Sequence, residues 1–114
     1  MINKIPLSVY ILAYNEEAKI EATLQSVSWA DEVIVIDSYS TDRTVEISEQ
    51  MGAKVVQIKF NGFGELRMAG IKNTSHEWIF SIDSDERCTP EAREEIISTI
   101  NNENSKDIYF VPRR

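Results

Sequence analysis

Val33-Ile34-Val35-Ile36-Asp37 is a run of four β-branched apolar residues closed by an acid. A strand with one wet face alternates apolar and polar residues, whereas a strand covered on both faces is apolar throughout. The run therefore predicts a central strand of a parallel sheet with helices on both sides. Leu7 to Leu12, Lys54 to Phe60, Glu77 to Ile82 and Asp107 to Val111 read as further strands. Helical signals separate them. Ile20, Leu24 and Val27 share one helical face, closed by Trp29, and Asn15 is expected to cap that helix with Glu16 and Glu17 in its first turn. A second helix runs through Val45, Ser48 and Met51 and stops at Gly52. Asn61-Gly62-Phe63-Gly64 reads as a loop, and Glu65 to Asn73 as a helix weakened by Gly70. Thr89-Pro90-Glu91 starts a fourth helix, with Thr89 as cap, Pro90 in the first position and Ile96, Ile97 and Ile100 as its apolar side. Strand and helix alternate at a spacing suited to right-handed crossovers. The expected fold is α/β, a three-layer Rossmann-like arrangement on a mostly parallel sheet of about four to five strands.

Composition narrows the function classes. The 114 residues suit one domain, and 42% hydrophobic with 27% charged residues is ordinary globular composition. A net charge of -7 disfavours nucleic acid, because duplex binding needs clustered Lys and Arg to displace counterions. It equally disfavours electrostatic attachment to anionic lipid. One cysteine, Cys88, excludes an intrachain disulfide and fits a reducing cytoplasm. Ile5 to Tyr14 contains Ser8, Tyr10 and Tyr14 and runs into Asn15-Glu16-Glu17 without a small-residue cleavage site, so it reads as a buried strand and not a signal peptide. No stretch approaches the roughly 20 apolar residues needed to span a bilayer.

Three polar clusters follow three predicted strands: Tyr14-Asn15-Glu16-Glu17, Asp37-Ser38-Tyr39-Ser40-Thr41-Asp42 and Asp83-Ser84-Asp85-Glu86. In a parallel sheet all three lie along one edge, outside the carboxyl ends of the strands where α/β folds bind ligands. Within the third cluster, side-chain alternation turns Asp83 and Asp85 the same way. Two convergent carboxylates of hard oxygen suit Mg²⁺ or Mn²⁺ bridging phosphates. Any one cluster could equally be helix caps; their coincidence on one edge points to a metal-nucleotide site.

These motifs, in this order, resemble the family 2 glycosyltransferases of the GT-A fold, which transfer a sugar from a nucleotide diphosphate donor with inversion. Tyr14-Asn15-Glu16-Glu17 is similar to the family's first-strand motif, and Val35 to Thr44 to its acidic Ser-Thr-Asp-x-Thr loop. Leu66-Arg67-Met68-Ala69-Gly70-Ile71 is similar to its Ala-Arg-Asn-x-Gly helix, and Ile82-Asp83-Ser84-Asp85-Glu86 to its metal motif. The run from Trp29 to Ser38 and the Asn61 to Gly64 loop most resemble bacterial glucosyltransferases that build lipopolysaccharide cores. Arg43 stands where many members have Gly, and Leu66 and Met68 replace the Ala and Asn beside the family arginine.

The resemblance implies a role for each matched position. Ala13, Tyr14 and Glu16 would line a uridine pocket, and Asp37 would accept a hydrogen bond from the uracil imide N–H. Arg67 would reach the base or diphosphate as a planar cation. Asp83 would contact ribose or the metal shell, and Asp85 would ligate Mn²⁺ or Mg²⁺. The implied partners are a UDP-sugar donor and a glycan or lipid-linked acceptor, in a cytoplasmic protein that in full length is peripheral at the inner membrane. Catalysis would need a carboxylate base from the acceptor half, expected beyond Arg114, so no catalytic residue is assigned. The chain reads as the donor-binding half of such an enzyme, binding nucleotide weakly and transferring little. The sheet edge at Asp107 to Val111 would then be exposed and able to pair with a second copy in a homodimer.

Other readings fit less well. A response-regulator receiver needs an acceptor Asp after the third strand and a Lys after the fifth, where this chain has Phe60-Asn61-Gly62 and Pro112-Arg113. A sugar nucleotidyltransferase needs a Gly-rich phosphate loop, and Ala13-Tyr14-Asn15-Glu16 has no glycine. A nucleotide-binding or oligomerising fragment without turnover is the non-enzymatic alternative. His76 reads as a solvated loop histidine, Cys88 as an inert loop thiol, and Glu91, Arg93, Glu94 and Glu95 as a solvated helix face.

Overall fold

The computed structural model describes residues 5–76, 78–102 and 109–110. Strands and helices alternate as β1 (Ile5–Ala13), α1 (Ile20–Ser26), β2 (Ala30–Asp37), α2 (Thr44–Gln50), β3 (Lys54–Gln57), α3 (Phe63–Lys72), β4 (Trp78–Asp83), α4 (Pro90–Asn102) and β5 (Tyr109–Phe110). All four strand pairings are parallel, in the order β3-β2-β1-β4-β5. That order reverses direction between β1 and β4, so the crevice expected of an open α/β sheet opens at their carboxyl ends. It also differs from the 2-1-3-4-5 order of receiver domains, which removes that alternative on topology.

The apolar runs are explained by the layers they separate. On β1, Leu7, Val9 and Ile11 face a core shared with Ile20 and Leu24 of α1, Val35, Phe80 and Ile96 of α4. Their alternates Tyr10 and Leu12 join Ile34, Ile36 and Leu66 of α3 in a second core on the other face. Both faces of the central strands are thus dry, and each fully buried Ile or Val contributes about 1.5–3 kcal/mol of transfer free energy.

Local details depart from the sequence reading at several points. Asn15 does not cap α1, which begins at Ile20 after Lys19 with no side-chain cap. Asn15 instead takes a positive φ of 50° and is bonded to the loop after β2. β3 ends at Gln57 rather than Phe60, leaving Lys59 and Phe60 exposed. α3 starts at Phe63, two residues before the expected Glu65, because Gly62 at φ 109° turns the chain into the helix. α3 runs unbroken through Gly70; a Cβ there would lie 2.6 Å from Cγ of Tyr10, so glycine is what lets α3 lie against β1. α2 buries Thr44 and Ser48, while Met51 is exposed.

Thr89 does cap α4, its Oγ1 accepting the N–H of Ala92 at 3.1 Å. The strand expected over Asp107 to Val111 is described at Tyr109–Phe110, which pairs with β4; its other residues lie outside the described ones. Among the described residues no helix is long and apolar enough to cross a membrane.

Candidate functional site

A cavity of about 830 Å³ opens at the β1/β4 switch point. Leu12, Ala13, Tyr14 and Glu16 line it from the end of β1, Ser38 from the end of β2, and Asp83, Ser84 and Asp85 from the end of β4. Phe60, Phe63, Leu66 and Arg67 close it from the loop before α3 and from α3 itself. Six of the sequence-predicted site residues, Ala13, Tyr14, Glu16, Arg67, Asp83 and Asp85, therefore meet around one volume.

Asp37 is placed differently. Its side chain is 0% exposed, and it is not among the residues lining the cavity. Oδ1 accepts the Ser40 hydroxyl at 2.6 Å and Oδ2 the Ser40 N–H at 2.9 Å, an Asx-type turn that shapes the loop after β2. Its neighbour Ser38 reaches the cavity.

The acidic turn after β4 closes on itself. The Glu86 N–H donates to the Asp83 carbonyl at 3.0 Å, and the Glu86 carboxylate accepts the Asp83 N–H at 3.1 Å. Glu86 thus shapes the turn, while Asp83 is half-buried and Asp85 exposed to the cavity.

The first two polar clusters interlock. Asn15 Oδ1 accepts the Thr41 N–H at 2.8 Å, and the Asn15 N–H donates to Ser40 Oγ at 2.8 Å. The Glu16 N–H donates to Thr44 Oγ1, the Glu17 N–H to Asp42, and the Arg43 N–H to the Glu17 carboxylate. Burial works against the Asp42 charge, yet donors from Thr44 and Glu17 prevail and hold its carboxyl below the usual range. Arg43, where the family often has Gly, is the residue before α2 at φ -90°, ψ 14°, a negative φ open to any residue, so no glycine is required. Its pair with Glu46 at 3.1 Å is exposed and of the kind that contributes little.

Sequence reading missed the aromatic wall. Phe60 and Phe63 stand 5.2 Å apart, ring edge to ring face at 74°, and both are more than half exposed at the cavity. Two aromatics flanking Asn61-Gly62 were the available signal, hidden because Phe60 reads as strand and Phe63 as loop.

His76 is no free loop histidine: its Nε2 lies 2.7 Å from Asp31 Oδ2. The pair sits before β4, at the opposite end of that strand from Asp83. Cys88 is buried, which pushes its thiol above the usual range and agrees with an inert role. Glu91, Arg93, Glu94 and Glu95 are exposed as expected, with Arg93 5.9 Å over the Trp29 ring.

Among the described residues no three His, Cys, Asp or Glu side chains are grouped to enclose a metal ion. Two carboxylates on an open cavity are instead the donor set of a divalent cation that shares its shell with phosphate oxygens and water. Asp83 and Asp85 fit that requirement.

The family model described as "Glycosyl transferase family 2" matches residues 8–114. The chain belongs to that family and has its GT-A fold. It is 43% identical over 91 residues to an uncharacterized glycosyltransferase of Rickettsia bellii, an alignment covering 79% of this chain and 31% of that protein. It is 32% identical over 99 residues to the lipopolysaccharide core biosynthesis glycosyltransferase LpsC of Rhizobium meliloti, covering 82% and 37% respectively. Among solved structures it is similar to glucosyl-3-phosphoglycerate synthase from Mycobacterium tuberculosis in complex with Mn²⁺, UDP-glucose and phosphoglyceric acid. The TM-score is 0.63 at 34% identity, over 71% of this chain and 34% of that one. The chain spans about a third of the length of these two relatives.

Proposed function

We propose that this chain binds a UDP-sugar together with Mn²⁺ or Mg²⁺ and forms the donor-binding part of an inverting glycosyltransferase. The observation that carries the reading is the cavity at the strand switch point, where Tyr14, Arg67, Asp83 and Asp85 arrive from three segments distant in sequence. The synthase similar to this chain was solved with Mn²⁺ and UDP-glucose, which supports that choice of ligands.

In this reading Tyr14, Ala13, Glu16 and Ser38 line the uridine side of the cavity. Asp37, fully buried, serves the base through the Ser38–Ser40 loop that its carboxylate holds. Arg67 meets the diphosphate with a fork of donors and a fixed charge. Asp85 ligates the cation, and Asp83 contacts the ribose or the same ion. A divalent cation bound there supplies positive charge that offsets the charge gained by the leaving diphosphate.

Similarity to LpsC favours a glycan acceptor of the lipopolysaccharide-core type. No described residue is assigned as the acceptor's base. Calorimetry of UDP binding, with and without Mn²⁺, on this chain and on Asp85→Ala tests the proposal. Metal should strengthen binding to the parent chain and not to the variant. Metal-independent binding, or binding untouched by the substitution, refutes the metal assignment.

A further inference from the structure

Ser84, Glu86 and Cys88, alternate residues of the acidic turn, are all tied to α1. The Thr23 hydroxyl lies 2.9 Å from the Ser84 carbonyl and 2.5 Å from the Glu86 carbonyl, partners 61 and 63 residues away in sequence. A helical threonine ordinarily returns its one hydroxyl proton to the carbonyl four residues back. Here that local acceptor, Lys19 O, is the most distant of the three at 3.4 Å. The proton is therefore committed to the turn. One helical turn further on, Ser26 Oγ donates to the Thr23 carbonyl at 2.7 Å and accepts the Cys88 N–H at 2.9 Å.

Thr23 is 1% exposed and Ser84 5%, so solvent cannot replace the hydroxyl. The two carbonyls that share its proton belong to the residues on either side of Asp85, whose own side chain is exposed at the cavity. Helix α1 thus holds the backbone on both sides of Asp85.

We infer that Thr23 is a positioning residue for Asp85: its hydroxyl fixes the backbone flanking that carboxylate and so sets the carboxylate's aim at a divalent cation. The inference rests on the reading of Asp85 as a metal ligand given above. Thr23 is buried and is not among the residues lining the cavity. Its effect should appear in cation-dependent binding and be absent from contacts made by the uridine side of the cavity.

The test measures UDP affinity with and without Mn²⁺ on the whole chain. Thr23→Val keeps the branched shape and deletes the hydroxyl. The expected result is about tenfold weaker binding with Mn²⁺, about 1.4 kcal/mol, with metal-free UDP binding held within about twofold. Thr23→Ser, which restores the hydroxyl, should recover most of the loss. Thr23→Cys carries a weak donor of similar size and should be intermediate, so it serves where the valine variant does not fold. Equal losses with and without Mn²⁺, parent-like binding by the valine variant, parent-like binding by the cysteine variant where valine does not fold, or failure of serine to restore binding would each overturn the inference. Asp85→Ala separates the two layers. If it leaves the Mn²⁺ effect intact, the metal reading falls and takes the role of Thr23 with it. If it abolishes the effect while Thr23→Val does not weaken it, only the role of Thr23 falls.

Discussion

Asn15 and Thr41 join the first two loops at the carboxyl edge of the sheet: the Asn15 side-chain oxygen accepts the Thr41 N–H at 2.8 Å, with Asn15 itself at φ 50°. Asparagine suits both demands, since it tolerates the left-handed region and carries an acceptor. Two substitutions separate these contributions. Asn15→Gly keeps the backbone conformation but loses the hydrogen bond and adds unfolded-state entropy, together costing about 1–2 kcal/mol. Asn15→Ala loses the bond and strains the backbone, and should cost about 1 kcal/mol more than glycine does. Urea denaturation of the three chains checks the order parent, glycine, alanine; an alanine variant as stable as the glycine one would show that backbone strain plays no part.

A second close approach predicts overpacking. Tyr10 is 3% exposed, and its ring lies where a Cβ on Gly70 would have to go. Gly70→Ala should destabilise the chain by about 1–3 kcal/mol despite alanine's better helix propensity, because α3 must move away from β1. Shrinking the ring in Tyr10→Val should make the alanine tolerable. A double-mutant cycle measured by thermal unfolding should therefore show favourable coupling between the two substitutions, and simple additivity would exclude the steric account.

Stability in acid should depend on Glu32. Partial burial alone would raise its pKa, but donors from the Ser8 hydroxyl and the Ser75 N–H overcome this and hold the carboxyl below its ordinary 4.5. The unfolded chain then binds more protons than the folded one at mildly acid pH. The stabilisation is complete above about pH 4.5 and is lost as pH falls through the depressed folded value. Glu32→Gln should be less stable than the parent at neutral pH, with the difference shrinking as acid is added. Melting temperatures of both chains across that range decide it, and a constant difference at all pH values would contradict the shift.

The layers were legible because burial on both faces leaves a mark in composition. Val33 to Ile36 has no polar residue on either side chain set, and the two cores claim alternate members of the run. The acidic pair was legible because it follows an apolar strand, with Asp83 as its last residue and Asp85 in the turn beyond. Asn15 was misread because capping and loop-bridging use the same side-chain acceptor, and only the fold decides whether a helix N–H or Thr41 reaches it first. The packing role of Gly70 was missed because propensity counts the entropy of glycine and not the neighbour that needs the space. Thr23 carried no signal at all, since its partners lie about half the chain away.

Phe60 and Phe63 give the last prediction, for they supply the cavity with a pair of phenyl rings that carry neither charge nor hydrogen-bonding groups. Exposed aromatic faces beside the nucleotide site proposed above suit stacking of the base, an interaction of about 1–3 kcal/mol. Phe63→Ala should therefore weaken UDP binding by roughly ten- to a hundredfold while leaving the affinity for inorganic pyrophosphate with Mn²⁺ unchanged, because pyrophosphate has no base to stack. Phe63→Leu, apolar but without a π face, should fall between the two. Phe60 supports Phe63 edge to face, so Phe60→Ala should produce a smaller loss with the same pattern. Equal weakening of UDP and pyrophosphate would mean that the pair shapes the cavity as a whole and does not meet the base.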